Sequence, residues 1–418
     1  MNNQKIENEF KTYGEECPEV KTVVHWYDLY EGHTVQVEPT FFTTLLESSI
    51  QKAETMSALG SCLGISRKTV SALYHRKVNP SIKTLKKLAQ YANYSINDVE
   101  NKIIRVANLK PNLPFKLNNS EGAEIRAAFI SDGHIDKQPF RSAQYCALEK
   151  ELHKRLIVLC KNVFGEFMTK TRFNSKSHIT RFPPPIGNAL EQSGIPRGKK
   201  LFHNFYLPKD ILESTVSIQS AYLRRAFDDE GDVCFDKHGK RAVRLTRSVD
   251  IGKLGIDILP ERWVRYKLSP EIRHNLIKGE QLLLLKLGID ARLYPEGIYL
   301  SKNNNLTAKW RIQVAQQDHL KTFSNIINFN LSSKRKKLAT MLNSYQIRKR
   351  PNGEGKNETL QIITNIFKNK GFFTYGDVAK EMIERKFCYD SAGQHLHSLL
   401  QDGTIKKIRR GVYTLDRT

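Results

Sequence analysis

The spacing of hydrophobic and polar residues changes along the chain, and each spacing indicates a different kind of element. Residues 47–104 place apolar side chains at helical intervals, which predicts a small all-α domain. Residues 121–345 alternate between helical segments and shorter segments of period two, such as His178–Phe182 and Trp310–Val314. Residues 357–418 form a second group of helices that ends in a hairpin-like segment. The pattern therefore predicts an α+β core flanked by two smaller domains.

The central region contains an internal repeat. Ile125–Gly133 has the sequence IRAAFISDG and Leu223–Gly231 has the sequence LRRAFDDEG, so both are apolar helices that end in an acidic residue followed by glycine. The two acids lie 98 positions apart, and each belongs to one of two tandem copies of the order helix–strands–helix–strands–helix. We predict tandem αββαββα repeats with pseudo-twofold symmetry, repeat one over residues 121–211 and repeat two over residues 212–345.

Two adjacent carboxylates are the chemical consequence of this repeat. Small alanine side chains on both helices permit close packing, which brings Asp132 and Glu230 together at the helix ends. Neighbouring carboxylates are unfavourable unless a cation neutralises them, and Mg²⁺, with Mn²⁺ as a substitute, prefers such oxygen ligands. Gly133 and Gly231 let the chain leave each helix, so the predicted metal site comprises both acid–glycine pairs. Metal ions between two acids beside a basic groove suit the attack of water on a phosphodiester.

Composition agrees with a nucleic-acid partner. The 418-residue chain carries 67 Lys and Arg against 43 Asp and Glu, a formal net charge of +24, and such a surplus attracts polyanions. Its six cysteines contain no CxxC pair, which argues against a zinc site or a disulfide framework. The longest apolar run, around Leu282–Leu285, is too short to span a membrane. With a polar N-terminal region and no secretory signal, we expect a cytoplasmic, nucleoid-associated protein that binds neither a membrane nor a small-molecule substrate.

The helical domain at residues 47–104 contains a tight turn between two helices. Helix Met56–Ile65 includes the stop residue Gly64, and Ser66 then caps a helix over Arg67–His75. The stretch LGISRKTVSALYHRKVNPSIKTLKKLA resembles the lambda-repressor/Cro class of helix-turn-helix domains. The resemblance implies that the second helix lies in a major groove, and the residues expected to face the DNA are Arg67, Lys68, Ser71 and Tyr74. A helical bundle with no role in DNA binding is the alternative.

The C-terminal domain at residues 357–418 is expected to contain three helices and a hairpin. Its third helix, Ser391–Leu400, precedes a hairpin over Thr404–Leu415 that turns near Gly411. The arrangement resembles a winged helix, which implies that the third helix enters a groove of DNA. The wing is expected to contact the DNA backbone through Lys406, Lys407, Arg409 and Arg410. Winged helices also mediate protein contacts, which is the alternative.

The remaining segments are predicted to connect these domains. Residues 105–120 hold two prolines and four asparagines and are expected to be a linker. Residues 346–356 are expected to be a second, basic linker. Residues 1–46 mix acidic residues with an aromatic stretch, and no function is predicted for them.

The two acid–glycine helices, IRAAFISDG and LRRAFDDEG, resemble the paired motifs of single-chain LAGLIDADG homing endonucleases. The segments GIPRGKK, YLPKDI, LLLLKLGI and KWRIQV extend the resemblance across residues 121–345. The resemblance implies two four-stranded sheets that form saddles in the DNA major groove. It also implies that Asp132 and Glu230 are the metal-binding acids, one for each cleaved strand.

The resemblance further implies several basic site residues. Family members often carry a lysine on a strand near the scissile phosphate, and the candidates here are Lys176 and Lys309. Lys199 and Lys200, in the segment GIPRGKK, are candidate DNA contacts. Arg225 replaces a small residue expected between the paired helices, and it is expected to pair with Asp228 or Asp229.

The expected function is a site-specific, Mg²⁺-dependent endonuclease that hydrolyses one phosphodiester on each strand of double-stranded DNA. A monomeric core is expected because one chain holds both repeats, and dimerisation through the N-terminal domain stays open. The first alternative, favoured by Arg225 and the extra DNA-binding domains, is a transcription regulator on an inactive scaffold. The second is an RNA-binding splicing cofactor. Intein splicing is not expected, because neither His203-Asn204 nor His274-Asn275 precedes a nucleophile and the chain has no terminal pair of this kind.

Overall fold

The computed structural model describes residues 3–235, 240–252, 274–300, 306–345, 353–387 and 391–416. The chain forms two compact units. The first contains Met1–Asp232, Arg244–Gln313 and Ile326–Leu331, and the second contains Val233–Val243, Val314–Asn325 and Ser332–Thr418. Within the described ranges, no helix has both the length and the apolar character needed to cross a membrane.

The chain before the repeats folds into helices and short strands of the first unit. They are α1 (Asn3–Glu16), β1 (Val23–Val24), β2 (Val35–Val37), α2 (Pro39–Ala53), α3 (Met56–Leu63), α4 (Arg67–Tyr74), α5 (Ile82–Tyr91), α6 (Ile96–Glu100), β3 (Ile103–Val106), β4 (Leu109–Pro111) and β5 (Phe115–Lys116). The turn between α3 and α4 has the geometry expected from the sequence. Gly64 is left-handed with a φ of 73°, and Ser66 Oγ accepts a hydrogen bond of 3.1 Å from Thr69 N.

Residues 105–120, expected to be a linker, instead carry β4, β5 and the end of β3. Leu109, Phe115 and Leu117 are fully buried, so this segment is part of the core. The prolines did not prevent strand formation because Pro111 is the last residue of β4, where its missing N–H costs little.

Repeat one contains the seven elements that the sequence pattern predicts. They are α7 (Ser120–Ser131), β6 (Gly133–His134), β7 (Ala143–Ala147), α8 (Lys150–Phe164), β9 (Thr171–Phe173), β10 (His178–Phe182) and α9 (Pro184–Gln192), with a short extra strand, β8 (Gly165–Phe167), after α8. The antiparallel sheet has the order β6-β7-β10-β9, in which Gly133 pairs with Tyr145 and Arg181 pairs with Gln144. A short helix, α10 (Lys209–Glu213), leads to the second repeat.

Repeat two has the same order of elements. They are α11 (Val216–Glu230), β11 (Gly231–Phe235), β12 (Arg241–Asp250), α12 (Asn275–Lys286), β13 (Arg292–Leu300), β14 (Leu306–Val314) and α13 (Gln317–Ile326). Its four-stranded sheet, β11-β12-β14-β13, matches the strand order of the first sheet position by position. The described residues therefore form an α+β fold with tandem αββαββα repeats.

Helices α7 and α11 pack against each other in the first unit. Every residue of α7 from Gly122 to Ser131 is buried, as expected for a helix covered on all sides. At the N-terminal ends, Ser120 Oγ lies 2.9 Å from Ser217 Oγ. These two serines occupy nearly equivalent positions in the repeats, so the helices run in parallel and end at the same level.

The N-terminal helix α1 is bound to the core of the first unit. Tyr13 Oη donates a hydrogen bond of 2.8 Å to the carbonyl of Asn275 and accepts one of 3.0 Å from Leu207 N. Lys278 forms an ion pair with Glu9 at 2.7 Å. Part of residues 1–46, for which the sequence suggested no role, therefore stabilises the second repeat.

The second unit includes the C-terminal domain. It contains α14 (Ser332–Asn343), α15 (Glu354–Lys370), β15 (Phe373–Thr374), α16 (Tyr375–Glu384), α17 (Ser391–Gln401), β16 (Ile405–Arg409) and β17 (Val412–Leu415). The three strands form a sheet in the order β15-β17-β16 around a core that includes Ile363, Phe373 and Leu396. Most of the segment predicted as the basic linker, residues 346–352, lies outside the described residues.

Candidate nuclease site

The two acid–glycine pairs lie where the paired helices end and the first strand of each sheet begins. Asp132 follows Ser131 and caps the C-terminus of α7, and Gly133 begins β6. A Cβ atom at Gly133 would lie 2.4 Å from Phe129 Cα, and one at Gly231 would lie 2.6 Å from the carbonyl oxygen of Phe227. Both glycines are therefore required by the close approach of helix and strand.

Asp132 and Glu230 are close enough to interact electrostatically. Burial raises the pKa of Asp132 to about 7, and the negative charges of Asp229 and Glu230 act in the same direction, while Lys200 and Arg225 oppose the shift. The Glu230 carboxylate is 36% exposed and lies 3.6 Å from Arg247 Nη1. The site thus combines a desolvated acid with a more accessible one.

Lys200 does not lie on the surface as an ordinary DNA contact would. Its Nζ donates hydrogen bonds to the carbonyls of Phe129, Ile130 and Ser131, the last turn of α7. Burial and the nearby charge of Arg247 lower the pKa of Lys200 to about 7. Lys200 therefore caps the helix that presents Asp132, whereas its neighbour Lys199 is exposed, with its Nζ 5.4 Å from the Phe202 ring centroid.

Arg225 is fully buried and pairs with Asp229, which was one of the two partners expected from the sequence. The Nε–Oδ2 distance is 3.0 Å, and neither side chain is exposed to solvent. The guanidinium also lies over the ring of Tyr145, 4.8 Å from its centroid. Tyr145 Oη donates a 2.7 Å hydrogen bond to Asp229 Oδ1. The arginine that replaces a small residue between the helices is thus accommodated by a buried ion pair with Asp229 and a ring contact with Tyr145.

Arg247, on β12, forms a second buried network that the sequence did not reveal. It pairs with Glu280 through two hydrogen bonds of 2.6 and 3.1 Å. It also donates a 3.1 Å bond to Ser131 Oγ, next to Asp132. No short sequence motif links Arg247 with Glu280, so only the fold brings them together.

A cavity of about 340 Å³ adjoins Glu230. Its lining includes Ser131, Lys200, Glu230, Arg247, His274 and Lys309. Lys309 lies on β14 and forms an ion pair of 2.9 Å with Glu296. The other candidate catalytic lysine, Lys176, is exposed in the turn between β9 and β10 and does not line this cavity. Of the two lysines, Lys309 is therefore the one that the fold brings to the cavity beside Glu230.

The open faces of both sheets carry basic side chains that motif analysis missed. In sheet one, Arg181 is exposed between the buried Thr180 and Phe182 of β10, and Arg172 lies on the neighbouring strand β9, whose residues are all exposed. In sheet two, β14 places Lys309, Arg311 and Gln313 on one face while the alternate residues are buried. The signal was present in the sequence as the period-two alternation of HITRF and LTAKWRIQV.

The basic residues predicted in the two outer domains are accessible. Arg67, Lys68 and Tyr74 on α4 are exposed, whereas Ser71 is half-buried. The four predicted wing residues, Lys406, Lys407, Arg409 and Arg410, are all exposed, and Lys406 forms an ion pair with Asp416 at 2.7 Å.

No family model matches the chain. Among curated proteins, the replication factor C small subunit of Methanocaldococcus jannaschii is 27% identical over 230 residues, which are 54% of this chain and 10% of that protein. The chain therefore spans about a tenth of the length of the curated relative that it matches.

Three solved structures are similar to parts of the chain. I-DmoI in complex with DNA and calcium has a TM-score of 0.32 at 11% identity and covers 54% of this chain and 97% of that one. The N-terminal LAGLIDADG domain of DUF199/WhiA has a TM-score of 0.30 at 13% identity, with coverages of 52% and 86%. I-DmoI in complex with DNA and manganese has a TM-score of 0.31 at 12% identity, with coverages of 51% and 97%.

Proposed function

We propose that this protein is a site-specific double-strand DNA endonuclease of the homing type, which hydrolyses one phosphodiester on each strand. The observation that carries the proposal is the meeting of Asp132 and Glu230 at the ends of α7 and α11, beside a cavity lined by basic side chains. Catalytic sites commonly hold a desolvated acid with a raised pKa next to a second charged group.

The donor set fits a hard divalent cation such as Mg²⁺ or Mn²⁺. Asp132 and Glu230 would hold it, and a positive charge there would offset both the burial and the neighbouring negative charges that raise the pKa of Asp132. Within the described parts of the chain, no three His, Cys, Asp or Glu residues converge as a ligand set. Two carboxylates suit Mg²⁺, which usually retains water and binds substrate phosphates in addition to one or two protein carboxylates. When bound, such an ion supplies charge stabilisation of the phosphate and activation of a water molecule.

The residues around the acids orient them and supply positive charge. Lys200 fixes the last turn of α7 and so holds Asp132 in place. Lys309, at the cavity beside Glu230, is suited to contact a non-bridging oxygen of the scissile phosphate. Lys176, exposed in the β9–β10 turn, is better placed to contact the DNA backbone away from the acids.

DNA binding in this proposal depends on the basic open faces of the two sheets. Arg172, Arg181 and Arg311 would contact base edges or phosphates in the major groove. Arg67 and Lys68 on α4, with the wing lysines and arginines, would lengthen the contacted duplex. Electrostatic attraction from the net charge of +24 would support binding by all these elements.

The second candidate function is a DNA-binding transcription regulator that does not cleave. Arg247 Nη1, 3.6 Å from Glu230 Oε1, places a permanent positive charge beside one of the two acids. That charge competes with a metal ion for the same carboxylate, and this specific contact favours an inactive site.

Cleavage of a randomised-target plasmid library in Mg²⁺ or Mn²⁺ distinguishes the two functions. We expect discrete cuts at one long motif, and loss of these cuts in the Asp132→Asn/Glu230→Gln double variant with binding retained. Selective binding by both proteins without any cleavage would overturn the endonuclease and leave the regulator. Absence of sequence-selective binding would overturn both.

A further inference from the structure

We infer that the N-terminal helical domain and the first sheet contact one continuous DNA duplex at a fixed spacing, with Asn108 as a specificity contact between them. The inference rests on the proposed DNA binding. It goes beyond that function because it specifies a target with two contacted segments at a constant separation along the duplex. It does not require cleavage.

The helical domain is joined to repeat one by a shared sheet. Strand β2 precedes α2, and β3 follows α6, so both ends of the helical domain enter the sheet β2-β3-β4-β8. In that sheet β4 pairs with β8 of repeat one, with Leu109 opposite Phe167 and Lys110 opposite Glu166. Strand β8 is followed almost at once by β9 of the first sheet. The connection is therefore made by strand pairing, which restricts movement far more than a flexible linker does.

A buried hydrogen-bond network fixes the same orientation. His33 Nε2 lies 2.6 Å from Asn188 Oδ1 on α9 of repeat one, and both side chains are buried. The carbonyl of His33 accepts a 2.8 Å bond from Ile82 N, at the start of α5. Asn188 Nδ2 donates a 3.0 Å bond to the carbonyl of Pro139. His33 therefore connects the helical domain to repeat one at a second point, away from the shared sheet.

The shared sheet and repeat one also line one groove. A cavity of about 470 Å³ is bordered by Lys170, Arg172 and Arg181 of repeat one and by Asn108 in the turn between β3 and β4. Arg172 pairs across the strands with Ile179, and Arg181 with Gln144, which places both arginines on the open face of the first sheet. Asn108 is exposed at this edge. An asparagine amide offers a donor and an acceptor, the pair that reads an adenine edge.

A spacing experiment on the full chain tests the inference. The target is first obtained by selection from random duplexes, and the footprint of the parent protein is compared with that of Arg67→Ala/Lys68→Ala. The protection lost in the variant marks the segment that the helical domain contacts. Duplexes with 5 or 10 base pairs inserted between that segment and the rest of the site are then tested for affinity.

We expect both insertions to lower the affinity to that of the Arg67→Ala/Lys68→Ala variant. A 10-base-pair insertion restores the helical phase but not the distance, so a rigid protein cannot span it. Tolerance of either insertion would overturn the fixed spacing, and so would identical footprints for parent and variant. Absence of any selected target would instead overturn the proposed DNA-binding function itself.

The role of Asn108 is tested with a matched pair of exposed asparagines. Asn101 lies at the end of α6 and does not line the groove. We expect Asn108→Ala to weaken binding to the selected target by roughly 5- to 100-fold and to relax the base preference at one position. Asn101→Ala should leave both unchanged. Equal affinities and preferences for the two variants would show that Asn108 is not a specificity contact.

Discussion

Tyr145 Oη, on β7 of repeat one, donates a hydrogen bond of 2.7 Å to Oδ1 of Asp229, at the end of α11 in repeat two. The reverse contact also exists, because Arg247 on β12 of repeat two donates a 3.1 Å bond to Ser131 Oγ at the end of α7. Asp229 and Ser131 each precede one of the two site acids. A side chain of each repeat is therefore hydrogen-bonded to the residue that precedes the acid of the other repeat. The distance between Asp132 and Glu230 depends on both sheets for this reason.

The buried Arg225–Asp229 pair should be essential for stability, and Tyr145 less so. Arg225→Met leaves Asp229 charged and buried without its cation, which should lower the free energy of unfolding by about 3–5 kcal/mol. Tyr145→Phe removes a single hydrogen bond to a charged group and should cost about 1–3 kcal/mol. Urea denaturation at neutral pH measures both effects.

Two further variants show whether the pair itself is responsible. The exposed Arg67→Met variant should change the free energy of unfolding by less than about 0.5 kcal/mol. Arg225→Met/Asp229→Asn should be more stable than Arg225→Met alone, because the uncompensated charge is gone. If the double variant were the less stable of the two, charge compensation would not be the reason for the pair.

Gly133 should tolerate no side chain at all. A Cβ atom there would lie 2.4 Å from Phe129 Cα, so helix and strand must separate. We expect Gly133→Ala to lower the free energy of unfolding by about 2 kcal/mol or more. Gly14→Ala is the control, because its Cβ would meet Leu212 Cδ2 at an ordinary 3.6 Å. Chemical denaturation of both variants decides the question, and equal stability would contradict the close approach.

The repeat could be predicted because its signals are local. Helical and strand periods, and an acid followed by glycine, are properties of short segments, and the strands and helices lie where those periods placed them. The β3–β5 region was missed for the opposite reason. Its prolines and asparagines are typical of loops, and only pairing with the distant β8 makes Leu109 and Phe167 neighbours.

The site could be predicted only in part, because the sequence does not show which of two adjacent identical residues is buried. Lys199 and Lys200 are equivalent in the sequence, yet one is exposed and the other caps α7. Arg247 and Glu280 are far apart in the chain and carry no motif, so their ion pair depends wholly on the packing of β12 and α12. Long-range contacts of this kind define the environment of the acids.

Lys200 and Lys199 should have separable roles. Lys200→Met removes three hydrogen bonds to the carbonyls of the last turn of α7, so we expect Asp132 to lose its fixed position. Cleavage of the selected target should be lost more strongly than binding. Lys199→Met should leave stability unchanged and reduce the salt dependence of DNA binding by about one phosphate contact. Cleavage assays and binding at several salt concentrations provide the comparison, and an equal loss of cleavage in Lys199→Met would contradict the assignment.

Asp132 should lower the stability of the metal-free protein at neutral pH. Its pKa is raised to about 7 in the folded chain and is about 3.9 when unfolded, so the folded state favours the protonated acid. The stability associated with this group is present at low pH, declines as the pH rises from about 4 to about 7, and then stays constant. Asp132→Asn mimics the neutral acid, so it should be more stable than the parent by about 1–3 kcal/mol at pH 8 and equal to it near pH 4. Urea denaturation in a chelator at several pH values measures this difference.

Addition of Mg²⁺ provides the complementary test of the same carboxylate. A cation that binds the folded state through Asp132 should raise the stability of the parent at pH 8, where the acid is ionised. It should have little effect on the parent near pH 5, because metal binding competes with protonation of the carboxylate. It should also have little effect on Asp132→Asn at any pH, because that variant lacks the carboxylate. The exposed Glu47→Gln variant should behave like the parent throughout. A Mg²⁺-dependent increase of equal size in parent and Asp132→Asn would place the ion elsewhere and remove Asp132 from the metal site.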